Sequence, residues 1–177
     1  VKSINGKYLQ ASGVDGDYYV TLHLVCDISG SMSDGGKPFI MRTLVTTVAQ
    51  WVSYGYGHAE IALWAWGSEA RRIPDWGTRS EFPVELLSCA GTANSASLIQ
   101  SLGNKPDGKV LLFTDGFWSR DDARALNRWK DNLPSDTLRI IKIGADANPK
   151  LKGSEMFSSD ELFSALDGWF EENEGWA

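Results

Sequence analysis

Five oxygen-bearing side chains in three separate turns carry the chemistry this sequence offers: Asp27, Ser29 and Ser31 in the first, Thr92 in the second and Asp115 in the third. Asp27-Ile28-Ser29-Gly30-Ser31-Met32 follows directly on the apolar run from Val20 to Cys26, and Asp115-Gly116 follows on Val110-Leu111-Leu112-Phe113-Thr114. A strand that ends in a carboxylate and turns through two hydroxyls and a glycine suits a hard cation. Mg2+ takes oxygen ligands in near-octahedral array, keeps several waters and needs only one or two carboxylates. Asp27 and Asp115 meet that need, with Mg2+ or Mn2+ as the expected ion. Ser29 and Ser31 are expected to bend back toward Asp27, while Thr92 and Asp115 bind directly or through water. A cation held mainly by neutral hydroxyls stays electron-poor and seeks an anionic oxygen from outside. Taken alone, each aspartate reads better as a turn cap; it is the set of five that points to metal.

The elements that must position these residues follow from the apolar spacing. Tyr18 to Cys26 reads as a strand covered on both faces. Pro38 suits a helix start, and Ile40, Met41, Leu44, Val45, Val48, Trp51 and Val52 predict a mostly buried helix over 39–53, with Arg42, Thr46 and Gln50 as its narrow polar stripe. A second strand spans 59–66, and 70–74 returns as a short antiparallel edge strand. Residues 81–88 stay open between a loop, a short strand and a turn of helix. A short helix marked by Ala96, Ile99 and Leu102 precedes the strand at 110–114. Asp121 and Asp122 start a further helix with Ala125, Leu126 and Trp129 inward. Another strand follows at 138–143, and Met156-Phe157 reads as a short edge strand. A capping box of Ser158 with Glu161 opens a last helix, with Leu162, Phe163, Leu166, Trp169 and Phe170 inward. Strands alternating with helices imply α/β architecture, a mostly parallel sheet between helical layers. In such sheets ligands sit at the carboxyl ends of strands, near the point where strand order reverses. Residues 1–17 read as a lead-in or linker and 18–177 as the domain.

Composition sets the outer limits. With 177 residues, 42% hydrophobic and 23% charged, the chain is long enough for one packed domain. A formal charge of -6 disfavours nucleic acid and anionic lipid. No run reaches the roughly 20 apolar residues of a membrane span, and the N-terminus lacks the features of a signal peptide, so a cytoplasmic protein is expected. Cys26 and Cys89 are expected to be free, buried thiols rather than a disulfide. His23 and His58 lie in or beside strands without partners at zinc spacing and read as structural.

Asp27-x-Ser29-x-Ser31, Gly91-Thr92 before a helix and Thr114-Asp115-Gly116 after a strand together resemble the metal-ion-dependent adhesion site of von Willebrand factor A domains. The resemblance spans about residues 19–170. It implies a Rossmann-like three-layer α/β/α sandwich, mostly parallel with one antiparallel edge strand. It also implies a metal on Asp27, Ser29, Ser31, Thr92 and Asp115, completed by a Glu or Asp carboxylate from a partner protein. Ser29-Gly30-Ser31-Met32 is similar to intracellular bacterial members, which implies work beside an AAA+ ATPase of the MoxR or chelatase type, or in tellurite-resistance-like and conflict systems. Where the family often has two glycines before the threonine, Ala90-Gly91 stands here.

These readings converge on a non-enzymatic, metal-dependent protein-binding module, with the loops at 34–38, 76–80 and 117–120 setting specificity. Phe117 and Trp118 read either as a partner contact beside the metal or as packing under the next helix. Asp27→Ala is expected to remove metal and partner binding and leave the fold largely intact. The rival is a Mg2+-dependent phosphohydrolase with Asp27 as nucleophile. Against it stand Ser29 where a second acid is wanted, no lysine anchored at a matching strand end, and no general base nearby.

Overall fold

The computed structural model describes residues 20–55, 59–74, 76, 81–151 and 155–170. The expected lead-in at 1–17, His58 and residues 77–80 lie outside them. Six strands form one sheet in the order β3-β2-β1-β4-β5-β6. They are β1 (Val20–Asp27), β2 (Ala59–Trp66), β3 (Ala70–Ile73), β4 (Lys109–Thr114), β5 (Leu138–Lys142) and β6 (Met156–Ser158). All pairings are parallel except β2 with β3, the antiparallel edge. The helices are α1 (Lys37–Gly55), α2 (Ser95–Leu102), α3 (Arg120–Asn132) and α4 (Leu162–Leu166).

The central strands are apolar on both faces because both are covered. Leu22, Leu24 and Cys26 of β1 join Leu111 and Phe113 of β4 and Ile141 of β5 in a core completed by α1 and α4. The intervening residues Val25, Val110, Leu112 and Ile140 face the other way, into a core with Leu98, Leu126 and Trp129 of α2 and α3. This period-two division makes three layers. The chain leaves β1 toward β2 and later returns to the opposite side of β1 as β4. Strand order therefore reverses between β1 and β4, and the carboxyl ends of those two strands carry Asp27 and Asp115.

Several local expectations change. Residues 84–86 form a 3-10 turn. Leu98 is buried in α2 and Ala96 is exposed, because the asparagine cap at Asn94 starts the helix at Ser95 and rotates Ala96 outward. Phe163 is 59% exposed rather than inward. α4 stops at Leu166, so Trp169 and Phe170 reach the core from the irregular segment beyond it. The polar face of α1 is also broader than a stripe, since Phe39 and Tyr54 are exposed on it beside Arg42, Thr46 and Gln50. Cys26 is buried and Cys89 half-buried, and both are free. Among the described residues no helix is long and apolar enough to cross a membrane.

Candidate metal centre

Asp27 ends β1 with no exposed surface. Its Oδ1 accepts hydrogen bonds from the Ser29 amide at 2.8 Å and the Ser29 hydroxyl at 2.6 Å. Its Oδ2 accepts one from Thr114 Oγ1 at 2.6 Å. The Thr114 hydroxyl in turn accepts from the Gly116 amide at 2.9 Å. Parallel pairing of Cys26 with Phe113 brings Thr114 level with Asp27, so sheet register alone places this bond. Burial pushes the Asp27 carboxyl above its ordinary range, although the bonds from Ser29 and Thr114 oppose that rise, and the nearby Asp115 adds to it.

The first loop turns through a short 3-10 segment, Gly30–Ser33. The Gly30 amide donates to the Gly91 carbonyl at 2.9 Å, and the Ala90 amide donates to the Ile28 carbonyl at 2.9 Å. These two bonds pin the Thr92 loop alongside the Asp27 loop. Gly91 has φ +72, a conformation that side chains resist, whereas the place of the second glycine is filled by Ala90 without positive φ. Thr92 itself is exposed. The loop is anchored behind by the Asn94 cap on α2 and by the Ser95 amide, which donates to Asp122 of α3 at 3.0 Å.

Ser29 does bend back onto Asp27, but Ser31 does not. Ser31 Oγ is buried and has no hydrogen-bond partner among the described residues. A buried hydroxyl of this kind is expensive unless something else meets it. The donor set is all oxygen, with two buried carboxylates and one unmatched hydroxyl, which fits a hard divalent cation and suits neither zinc nor copper.

Asp115 is equally buried. Its Oδ1 accepts from the Phe117 amide at 3.2 Å, and its Oδ2 meets the ammonium of Lys37 at 3.2 Å. Lys37 also donates to the Ser31 carbonyl at 3.3 Å and lies 3.5 Å from Asp146 Oδ1. Burial alone lowers the pKa of this amine, yet the hydrogen bond and charge of Asp115, with those of Asp146, outweigh it and hold Lys37 above its ordinary value. Lys37 belongs to α1 rather than to a strand end, yet its ammonium reaches the carboxylate that follows β4. Lys37 escapes notice in sequence because it begins a helix, where a positive charge opposes the helix dipole; that misfit was the available signal. Gly116 is fixed by contact: with φ +75, a Cβ there would lie 2.4 Å from the Pro149 backbone, and the Asn148 amide donates to the Asp115 carbonyl at 3.0 Å. Phe117 is 48% exposed beside Lys37, its ring centroid 5.0 Å from the ammonium. Trp118 is half-buried against Trp66, as the packing alternative expected of one of the pair.

No protein-family model matches the chain, and no curated protein matches its sequence. Solved structures do match. The manganese-loaded TRAP protein of Plasmodium vivax superposes with a TM-score of 0.57 at 19% identity, over 86% of this chain and 74% of that one. A von Willebrand factor type A protein from Catenulispora acidiphila gives 0.55 at 18% identity, over 86% of this chain and 42% of the other. The fold is that of a von Willebrand factor A domain. An aerotolerance-related membrane protein from Bacteroides fragilis also matches, with a TM-score of 0.50 at 17% identity over 78% of this chain and 75% of that one. In the von Willebrand A fold seen here, Asp27 at the end of β1 and Ser29, Ser31, Thr92 and Asp115 in the loops lie toward one end of the sheet. The bonds described above join those loops to one another.

Proposed function

We propose that this von Willebrand A domain is a protein-binding module that holds one Mg2+ or Mn2+ and captures an acidic side chain of a partner. The observation that carries this reading is the orphaned, buried Ser31 hydroxyl, in the turn after the buried Asp27 and in a residue whose carbonyl shares Lys37 with the buried Asp115. Asp27, Ser29, Ser31, Thr92 and Asp115 would hold the ion. When bound, it supplies a Lewis-acidic position for an external carboxylate. Ser29 and Thr114 orient Asp27 through its two oxygens, and the exposed Phe117, two residues past Asp115, offers apolar surface beside it. The manganese in the Plasmodium structure supports a divalent ion in this fold. A bacterial multi-protein system with an AAA+ ATPase, in the cytoplasm, is the setting the motif suggests.

The phosphohydrolase reading is disfavoured by geometry. Asp27 is fully buried, and both its oxygens already accept hydrogen bonds, which leaves a poor nucleophile. Lys37 contacts Asp115 rather than Asp27.

Titration calorimetry with Mn2+ tests the site, and the water-proton relaxation of the bound ion tests the ligand. Wild-type chain should take up one Mn2+, and Asp27→Asn and Ser31→Ala should weaken that uptake. A glutamate-containing peptide should then lower the relaxivity by displacing water. Absence of Mn2+ or Mg2+ uptake by the wild-type chain at millimolar ion would end the metal-bridge reading. Uptake without any response to carboxylate would confine the metal to a structural role.

A further inference from the structure

Lys37 stands in the metal centre, yet the function proposed above has no use for it. Its ammonium touches two residues assigned there to the ion, Asp115 through the carboxylate at 3.2 Å and Ser31 through the carbonyl at 3.3 Å. The side chain is only 5% exposed. Lysine is almost never buried unless paired, and at the first position of α1 its charge opposes the helix dipole. The location is therefore unfavourable except for what the site returns.

The path of the side chain is also built into the fold. Gly144, just past β5, has φ +96, and a Cβ there would come within 2.7 Å of Lys37 Cε and 3.0 Å of Asp146 Oδ1. The missing side chain at 144 opens the slot that the lysine stem fills. At the outer end of that slot, Asp146 is 63% exposed in its side chain, so it offers the ammonium a second carboxylate on the way to solvent.

We propose that Lys37 is a tethered cation that occupies the Asp115 side of the metal centre and must be displaced when the divalent ion binds. The inference rests on the metal reading above. The ammonium already occupies an acceptor position on Asp115 Oδ2 and brings a full positive charge to the carboxylate that the ion would use. Two cations of the same sign at one carboxylate also repel one another strongly where water is excluded. Lys37 thus keeps the ion-free centre charge-balanced and lowers its affinity for metal. Its four-carbon stem lets the ammonium withdraw along Asp146 and Phe117 without movement of α1.

The test is Mn2+ calorimetry on the full chain beside Lys37→Met, with amine labelling of the wild-type chain as a measurement that needs no variant. Lys37→Met should bind Mn2+ about tenfold tighter or more. Acetic anhydride should modify Lys37 slowly in EDTA and several-fold faster at saturating Mn2+, read by peptide mass spectrometry against the exposed Lys150. Equal or weaker Mn2+ binding by Lys37→Met would overturn the competition and leave the metal reading standing. Unchanged labelling of Lys37 in Mn2+-saturated protein would overturn it too. If neither protein takes up Mn2+, both readings fall together.

Discussion

Asp27 and Asp115 close adjacent parallel strands at equal depth, but their charges are met in opposite ways. Asp27 is surrounded by neutral donors, the Ser29 amide and hydroxyl and the Thr114 hydroxyl. Asp115 receives one amide and one full positive charge, from Phe117 and Lys37. A hydroxyl that donates to a carboxylate keeps its own lone pairs, so under the proposed metal reading the Asp27 side would need no rearrangement. An ammonium has no lone pair to offer an ion and meets it only with like charge, so under the proposal above it is the group that leaves. The comparison separates a fixed frame on β1 from an exchange point on β4.

The sharpest way to break this contrast is to neutralise each carboxylate in turn in the presence of EDTA. Asp115→Asn leaves the Lys37 ammonium buried with only the half-solvated Asp146, a loss expected to approach about 3 kcal/mol in chemical denaturation. Asp27→Asn should be close to neutral there, because burial already disfavours the Asp27 charge and the Thr114 hydroxyl can turn to accept. If the two variants unfold at the same denaturant concentration, the asymmetry is not energetic. Asp27→Ala is a different matter. It leaves the buried Ser29 and Thr114 donors without an acceptor, at about 1–3 kcal/mol for a stranded group. This revises the expectation that alanine at 27 spares the fold, and thermal unfolding in EDTA would reveal it.

Smaller effects refine the picture. Phe117→Ala should reduce stability by only about 0.5–1 kcal/mol, the worth of a cation over an aromatic face at a partly exposed site. A loss of several kcal/mol in equilibrium unfolding would mean that the ring, not Asp115, holds the ammonium. The smallest effect concerns His23, on the same β1 strand but away from the site. Its Nδ1 accepts from the Trp64 indole at 3.1 Å and its Nε2 donates to the Asp107 carbonyl at 2.9 Å. Burial lowers its pKa below the usual 6.5, despite the opposing Asp107 contacts. The unfolded chain therefore binds the proton first, so this contribution is complete above pH 6.5 and is lost as pH falls toward the folded value. Unfolding midpoints measured across that window should flatten in His23→Gln.

Much of this arrangement is legible in sequence because continuous apolar runs mark buried parallel strands, and the carboxylates that close two of them, Asp27 and Asp115, mark the working edge. Ala59–Trp66 and the edge strand at Ala70–Ile73 are readable for that reason, as is the capping box of Ser158 and Glu161. Phe163 is not, because it sits within α4 off the face that buries Leu162, Ala165 and Leu166, and so turns to solvent. Thr114 and Lys37 are hidden for a further reason. Each acts across the sheet on a residue distant in sequence, 87 positions away for Thr114 and Asp27 and 78 for Lys37 and Asp115. Strand register and helix placement, rather than local spacing, create those contacts.

The Thr114 hydroxyl is bonded on both sides, to the Asp27 carboxylate and to the Gly116 amide. Any rotation of that hydroxyl alters what the amide senses, so the Gly116 proton becomes a natural reporter of the Asp27 side from the neighbouring turn. A resonance assigned to Gly116 should move when Asp27 changes its partners, giving a spectroscopic window onto one carboxylate through the backbone of the strand that carries the other.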